Sequence, residues 1–142
     1  IHHAALSMVS DEQLRACGVS GNKILALRDL VRREAAQEIP TARQLQYMSN
    51  QQIIDALIAT RGIGQWTVEM MLMFRLGRPD VLPIDDFGIR KGAQILDKTI
   101  DMPTPKTLLN RGQVWAPFQT MASLYLWRIA DFEKEQIKRS QS

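Results

Sequence analysis

The sequence predicts an all-α domain of about seven short helices packed at steep angles to one another. Apolar residues recur at helical spacing along most of the chain, and no stretch alternates in the way a half-buried strand does. Capping residues, glycines and prolines divide this pattern into short helices. With 142 residues, of which 45% are hydrophobic and 23% charged, the chain is long enough for a buried core. We expect one helical domain over residues 1–135 and a polar tail over 136–142.

The first predicted helix begins at a capping box in which Ser10 and Gln13 can satisfy each other's main-chain amides, and Gly18 suits its end. The second helix covers "NKILALRDLVRREAAQ" and ends before Pro40. Its apolar stripe consists of Ile24, Leu27, Val31 and Ala35. Three arginines lie on the other side, which we expect to be solvated: Arg28, Arg32 and Arg33.

A second capping box, Ser49 with Gln52, begins the next helix. Its predicted apolar face consists of Ile53, Ile54, Leu57 and Ile58. A turn containing two glycines follows, and then "QWTVEMMLMFRLG", which is apolar on nearly every side and therefore predicts a helix buried all round. Together these segments form a helix–turn–helix over about residues 50–75.

A loop over residues 78–90 carries Pro79 and Pro83, and three further helices follow from "DDFGIRKGAQIL", "TPKTLLNRG" and "APFQTMASLYLWRIADFEKEQIK". The predicted core stripe of the last helix is Phe118, Met121, Ala122, Tyr125, Ile129 and Phe132. At about 100° per residue, Trp127 lies roughly 140° from Ala122, off this stripe. Such a tryptophan either fills a second packing interface or lines a pocket.

The composition excludes several classes of site. A single cysteine, Cys17, rules out an internal disulfide and any cysteine-based zinc or iron–sulfur site, and it fits a reducing, intracellular setting. No apolar run approaches the length that a bilayer requires, so we expect no membrane association. The net charge of +3 and the pI of about 9.3 permit a polyanionic partner without requiring one.

The turn Gly62-Ile63-Gly64 is the first candidate site. Glycine at both positions permits a tight turn with exposed amides, at a helix N-terminus that favours an anion such as phosphate. The alternative is an ordinary helical hairpin with a glycine cap, and a lone G-x-G does not decide between the two.

The second candidate is the acidic pair in "LPIDDFG". One aspartate is a common helix cap, but a pair exceeds what a single cap requires. We expect Asp85 to cap the helix, which leaves Asp86 in the first turn. The pair either serves only this helix end, or Asp86 faces a cleft, where its carboxylate can stabilise a developing positive charge.

The segments "LIATRGIGQWTVEMMLMFRLGRPDVLPIDDFGIRKG" and "WAPFQTMASLYLWR", in this order and at this spacing, resemble the helix-hairpin-helix DNA glycosylases. Within that superfamily the chain is most similar to 3-methyladenine DNA glycosylase II, and the resemblance covers roughly Ser10 to Ala130. It implies an enzyme of base excision repair that flips an alkylated base out of duplex DNA. A helix-hairpin-helix module that binds DNA without catalysis remains the alternative.

The resemblance also implies roles for individual residues. Gly62, Ile63 and Gly64 would grip the DNA backbone, and Asp86 would be the catalytic aspartate. The base pocket would be formed by Trp127, Phe87, Trp66 and Met70. Main-chain carbonyls would hold a structural Na⁺ or K⁺ at the hairpin, from Ile58, Thr60 and Ile63; no other cofactor is expected.

One position separates the mechanisms in this superfamily. Members that also cleave the strand carry a lysine two residues after the second hairpin glycine, which forms a Schiff base with the sugar. Here that residue is Trp66, so the resemblance implies a hydrolytic enzyme without lyase activity. It also implies a monomer, with damaged double-stranded DNA as the partner, in the bacterial cytoplasm and nucleoid or the eukaryotic nucleus.

The chain departs from the family pattern at two places. It begins close to a predicted helix, so we expect part of the N-terminal lobe to be lacking, together with the side chain that enters the duplex where the base leaves. Gln119 stands where relatives often have arginine, which puts one contact to the DNA backbone in doubt.

Overall fold

The computed structural model describes residues 3–140, and within that range the secondary structure is entirely helical. This confirms the predicted all-α class. A 3-10 helix, Gln113–Trp115, precedes the last α-helix. The α-helices are α1 His3–Ser7, α2 Asp11–Ala16, α3 Gly21–Ala35, α4 Ala42–Leu45, α5 Asn50–Ile58, α6 Gln65–Phe74, α7 Phe87–Asp97, α8 Pro105–Gly112 and α9 Gln119–Ser140.

Local capping explains where several helices begin. Both predicted capping boxes are present, with Ser10 capping α2 and Ser49 capping α5. A third box, which we did not predict, joins Thr41 to Gln44 and begins α4. Helices α1 and α4 were missed altogether, because elements of five and four residues are too short to show an apolar period.

The described residues form two compact units, the first ending at Val68 and the second beginning at Glu69. In the first unit the buried apolar side chains are Ile24, Ile53, Ile54, Leu57 and Val68. Ile58 was expected on the same buried face but is 44% exposed, because α5 ends at this residue. No helix of the described range is long and apolar enough to cross a membrane.

Of the three arginines on α3 that we expected to be solvated, Arg32 is 56% exposed, whereas Arg28 and Arg33 are partly buried. The Arg28 side chain pairs with Asp11 at 2.8 Å and also donates to the main-chain carbonyl of Leu6 at 2.9 Å. The Arg33 side chain is only 21% exposed and pairs with Asp29 at 3.0 Å. Arg28 therefore connects α3 to the segments before it, and Arg33 connects α3 to Glu38 beyond its end through an ion pair at 2.9 Å.

In the second unit α7 packs against α9. The core consists of Leu82, Ile89, Ala93, Leu108 and Leu126, with Ile84, Trp115 and Trp127 packed against it. The core stripe predicted for α9 is wrong, because its large members Phe118, Met121, Tyr125 and Phe132 are each more than half exposed. The buried residues of this helix are instead Ser123 and Leu126, so the side that carries Trp127 is the packed one.

Two further expectations about helices are changed. Helix α6 is not buried all round, because Val68, Leu72 and Met73 are buried whereas Trp66 is 51% and Phe74 59% exposed. The apolar composition of a helix does not show how many of its sides are buried against other segments. Helix α9 continues to Ser140, into the segment predicted as a polar tail, and residues 141–142 lie outside the described range.

Candidate functional site

The hairpin of the first unit joins α5 to α6 through a tight turn. The Thr60 amide donates to the Leu57 carbonyl at 3.0 Å, and the Ile63 amide donates to the Thr60 carbonyl at 3.1 Å. The Gly64 carbonyl accepts from the Val68 amide in the first turn of α6. Within the described range the amides of Gly62 and Gly64 have no protein acceptor, so both remain available to an external anion.

The two positions of the turn differ in whether the fold requires glycine there. Gly62 has φ +77°, and a Cβ built on it would lie 2.9 Å from the Cβ of Ala26 on α3, so the fold itself requires a glycine there. A Cβ on Gly64 would meet nothing within 4 Å, and its φ lies outside the left-handed region. Intramolecular packing therefore does not account for Gly64.

The position of the hairpin is set by a carboxylate on α3. The Arg61 amide donates to Asp29 Oδ2 at 2.8 Å. This bond, followed by the hydrogen bond from the Arg33 side chain, lowers the pKa of the Asp29 carboxyl to about 2 from its ordinary 3.8. Ile63 is half-buried and lines a cavity of about 300 Å³ between α3 and the hairpin.

The predicted cation ligands also lie in this turn. No described residue donates a hydrogen bond to the main-chain carbonyls of Ile58 and Ile63, whereas the Thr60 carbonyl already accepts from the Ile63 amide. Carbonyl oxygens of this kind suit a hard cation. Elsewhere in residues 3–140, no cluster of three or more histidine, cysteine, aspartate or glutamate side chains could hold a metal ion.

Asp86 forms the centre of the candidate site in the second unit. It is the N-cap of α7, and its Oδ1 accepts from the Ile89 amide at 2.9 Å. We expected Asp85 to cap this helix, and that assignment is wrong, because α7 begins at Phe87 and the cap therefore falls on Asp86. Asp85 is exposed, whereas Asp86 is partly buried.

Trp127 lies directly against the Asp86 carboxylate. Its Nε1–H donates to Asp86 Oδ1 at 2.7 Å, a short bond to a charged acceptor. The indole also stacks on the ring of Phe74, with 6.2 Å between centroids and 20° between planes. Sequence reasoning missed Phe74, since nothing distinguishes it there from the other apolar residues of α6.

The remaining predicted pocket residues, Phe87, Met70 and Trp66, lie on α6 and α7. Phe87 follows Asp86 directly and is 67% exposed, and Met70 is half-buried on α6 in the same unit. Trp66 belongs to the first unit, as does the hairpin. Gln119 has an intramolecular role, because its side-chain amide donates to the Gly112 carbonyl at 3.1 Å.

Comparisons with known proteins agree with this architecture. The chain is 40% identical over 126 residues to DNA-3-methyladenine glycosylase 1 of Schizosaccharomyces pombe, an alignment that covers 87% of this chain and 55% of the relative. It is 38% identical over 114 residues to the putative DNA-3-methyladenine glycosylase YfjP of Bacillus subtilis, covering 72% of this chain and 40% of that protein. The chain thus spans about half the length of these relatives. No family model matches it.

Two solved structures have the same fold. The 3-methyladenine DNA glycosylase Mag1 of Schizosaccharomyces pombe, in complex with abasic DNA, superposes with a TM-score of 0.79 at 38% identity, covering 89% of this chain and 61% of that one. A DNA-3-methyladenine glycosidase of Bacillus halodurans superposes with a TM-score of 0.85 at 39% identity, covering 94% and 61%. The chain therefore resembles DNA-3-methyladenine glycosylases in sequence and in fold, over the part of those proteins that it spans.

Proposed function

We propose that this protein is a monofunctional DNA glycosylase that releases alkylated bases such as 3-methyladenine from duplex DNA by hydrolysis. The observation that carries this proposal is the pairing of a partly buried carboxylate, Asp86, with an aromatic ring, Trp127, in the same unit. A carboxylate and an aromatic surface are the two groups that cleavage of a cationic base from its sugar requires. The similarity of the chain to DNA-3-methyladenine glycosylases supports the same assignment.

The proposed role of the hairpin is to hold the DNA backbone. Support comes from the amides of Gly62 and Gly64, which have no acceptor among the described residues, and from Gly64, whose lack of a side chain the fold does not explain. A phosphate oxygen that approaches a main-chain amide closely would be obstructed by a Cβ at such a position. Contacts of this type carry no sequence preference, which suits an enzyme that inspects any sequence.

The proposed reaction follows from the chemistry of an alkylated base. The base must leave the stack to be cut, at a cost of a few kcal/mol that is smallest for a damaged pair. Alkylation at a ring nitrogen makes the base cationic, so an electron-rich surface attracts it by about 0.5–2 kcal/mol. Trp127 and Phe74 form such a surface, and Phe87 and Met70 extend it in the proposal. As the bond breaks, the sugar gains oxocarbenium character, which the Asp86 carboxylate stabilises.

The absence of strand cleavage is part of the proposal. Trp66 has no nucleophilic atom, so it cannot form the Schiff base on which lyase activity depends. Water is then the nucleophile, and the product is an intact abasic site. We further propose that the protein acts on its DNA as a monomer.

A monovalent cation at the hairpin is also proposed, with the carbonyls of Ile58, Thr60 and Ile63 as its ligands. It would fix the turn that presents the amides. Support comes from the two carbonyls, of Ile58 and Ile63, that accept no hydrogen bond from described residues. Replacing K⁺ with choline at constant ionic strength should then lower the melting temperature, whereas an unchanged value would exclude the site.

The decisive experiment uses Asp86→Asn in the intact protein. Asparagine is as good an N-cap as aspartate, so the variant keeps α7 and removes only the charge. We expect base release from methylated duplex DNA to fall by at least about a hundredfold, the order lost with one electrostatic group of a catalytic site. Activity equal to that of the wild type would refute the catalytic role.

Two controls separate the alternatives. Treatment of the reaction with borohydride should leave no covalent protein–DNA adduct, and an adduct would contradict the hydrolytic mechanism. If the wild-type protein binds duplex DNA but releases no base from any alkylated substrate, the non-catalytic helix-hairpin-helix module is the correct assignment.

A further inference from the structure

The Asp86 carboxylate is held by two N–H groups that converge on one oxygen. The Ile89 amide and the Trp127 indole both donate to Oδ1, at 2.9 and 2.7 Å. The first bond caps α7 and would form at the start of many helices. The second bond comes from α9 and is not needed by the cap. It therefore requires an explanation other than helix stability.

The ring of Trp127 is fixed independently of this bond. One face stacks on Phe74, and the indole packs against the core of the second unit. An indole has a single N–H donor, and here a carboxylate oxygen accepts it. Because the ring cannot turn freely, the direction of the donor is set by packing, and the carboxylate must conform to it.

Gly88 is the residue that makes this arrangement possible. A Cβ built on it would lie 2.7 Å from Trp127 Cδ1, 3.1 Å from Trp127 Nε1 and 3.2 Å from Asp86 Oδ1. The backbone does not require glycine, since Gly88 is the second residue of α7 and has no positive φ. Glycine at such a position weakens a helix relative to alanine. The close approach of the indole to Asp86 explains why glycine is present at position 88 despite its lower helix propensity.

We propose that Trp127 is a positioning residue for Asp86, and that Gly88 provides the space through which the indole reaches the carboxylate. This inference rests on the proposed glycosylase function. Two donors on Oδ1 fix the plane of the carboxylate and the direction of Oδ2, so the charge faces the sugar without reorganising as the bond breaks. Trp127 thus acts through its N–H on the aspartate, in addition to any contact of its ring with the base.

The test is Trp127→Phe in the intact protein, because phenylalanine keeps an aromatic ring and removes the N–H donor. We expect the single-turnover rate of base release to fall by about 10- to 100-fold, the value of a hydrogen bond to a charged group. Binding of duplex DNA that contains an abasic site should change by less than about threefold, since the hairpin is untouched. A wild-type rate in this variant would overturn the proposal.

Gly88→Ala tests the same contact without removing a functional group. It should displace the indole from Oδ1 and lower the rate to a similar degree. Because both substitutions break one hydrogen bond, their effects should not multiply when they are combined. Gly21→Ala is the matched control, since a Cβ there meets nothing within 4 Å, and it should have the wild-type rate.

A spectroscopic measurement distinguishes positioning from simple packing. The side-chain indole N–H resonance of Trp127 should lie downfield in the wild type and move upfield in Asp86→Ala, which removes the acceptor oxygen, with the other two indole resonances unchanged. An indole resonance indifferent to Asp86→Ala would refute the hydrogen bond even if the wild-type enzyme is active. If the wild type releases no alkylated base, the proposed function fails, and the resonance still tests the contact.

Discussion

Replacing Gly92 with alanine should have two opposite effects on stability: a gain in helix propensity and a steric overlap with α9. Gly92 lies four residues after Gly88 on the same side of α7, where α9 passes closely. A Cβ there would lie 2.6 Å from the carbonyl carbon and 2.8 Å from the Cα of Leu126, and closer still to the Leu126 carbonyl oxygen. These are main-chain atoms, so no side-chain rotation can relieve the contact.

The magnitude follows from the distances. Ordinary contact begins at 3.4 Å, so α7 and α9 must separate by about 0.8 Å to relieve the contact with the carbonyl carbon, and by more to relieve the contact with the carbonyl oxygen. A gap of that size forfeits a quarter to a half of the dispersion energy of the atoms that face it, which include the fully buried Ile89 and Leu126. Overpacking costs about 1–3 kcal/mol, and a backbone contact belongs at the upper end. The higher helix propensity of alanine stabilises the fold by about 1 kcal/mol, so the net loss of unfolding free energy is about 2 kcal/mol.

Urea denaturation followed by circular dichroism measures this difference. We expect Gly92→Ala to lower the unfolding free energy by about 2 kcal/mol and the melting temperature by about 6 °C. The control is Gly21→Ala, which meets nothing within 4 Å and should be neutral or slightly stabilising. A Gly92→Ala protein as stable as the wild type would refute the close approach of α7 to Leu126.

Three further predictions concern the first unit. Gly62→Ala should destabilise the fold, because it combines a positive φ with a contact to α3, whereas Gly64→Ala should keep the melting temperature and weaken DNA binding in a titration; equal behaviour of the two variants would contradict their separate roles. The pKa of Asp29 is lowered to about 2, so its ionised form stabilises the fold above about pH 4, and this contribution disappears as the pH falls to about 2. Asp29→Asn should therefore be less stable than the wild type at neutral pH, with a gap in melting temperature that closes between about pH 4 and pH 2; a gap independent of pH would refute the linkage. The buried Thr60 Oγ1 has no hydrogen-bond partner among the described residues, so Thr60→Val should raise the unfolding free energy by about 1 kcal/mol in denaturant titrations, and a loss of stability would indicate a partner for that hydroxyl.

Features that depend on neighbouring residues could be predicted from the sequence. The capping boxes at Ser10 and Ser49 each need only two side chains three positions apart, and both formed as expected. The predicted cap of α7 was one residue early, because two adjacent aspartates satisfy the same local rule and packing decides between them. The functions that the family resemblance assigns to Gly62, Ile63, Gly64 and Asp86 stay predictions.

Features that depend on distant partners could not be predicted. Helix α9 carries apolar residues on more than one side, and its periodicity alone favoured the stripe that contains Tyr125. The packed side is the one that contains Leu126, since Gly92 on α7 lets another backbone approach there. The hydrogen bond between Trp127 and Asp86 joins residues 41 positions apart, which no local pattern encodes.

The cap of α7 and the proposed charge of the active site are the same side chain. A relative that had lost its enzymatic activity would therefore still need a small polar residue at position 86, because α7 would otherwise lose its first turn. Asparagine or serine at this position would still cap α7, and the inactive protein would fold normally. The proposed activity could thus be lost without loss of the fold, and the replaced carboxylate at position 86 would mark the change in the sequence.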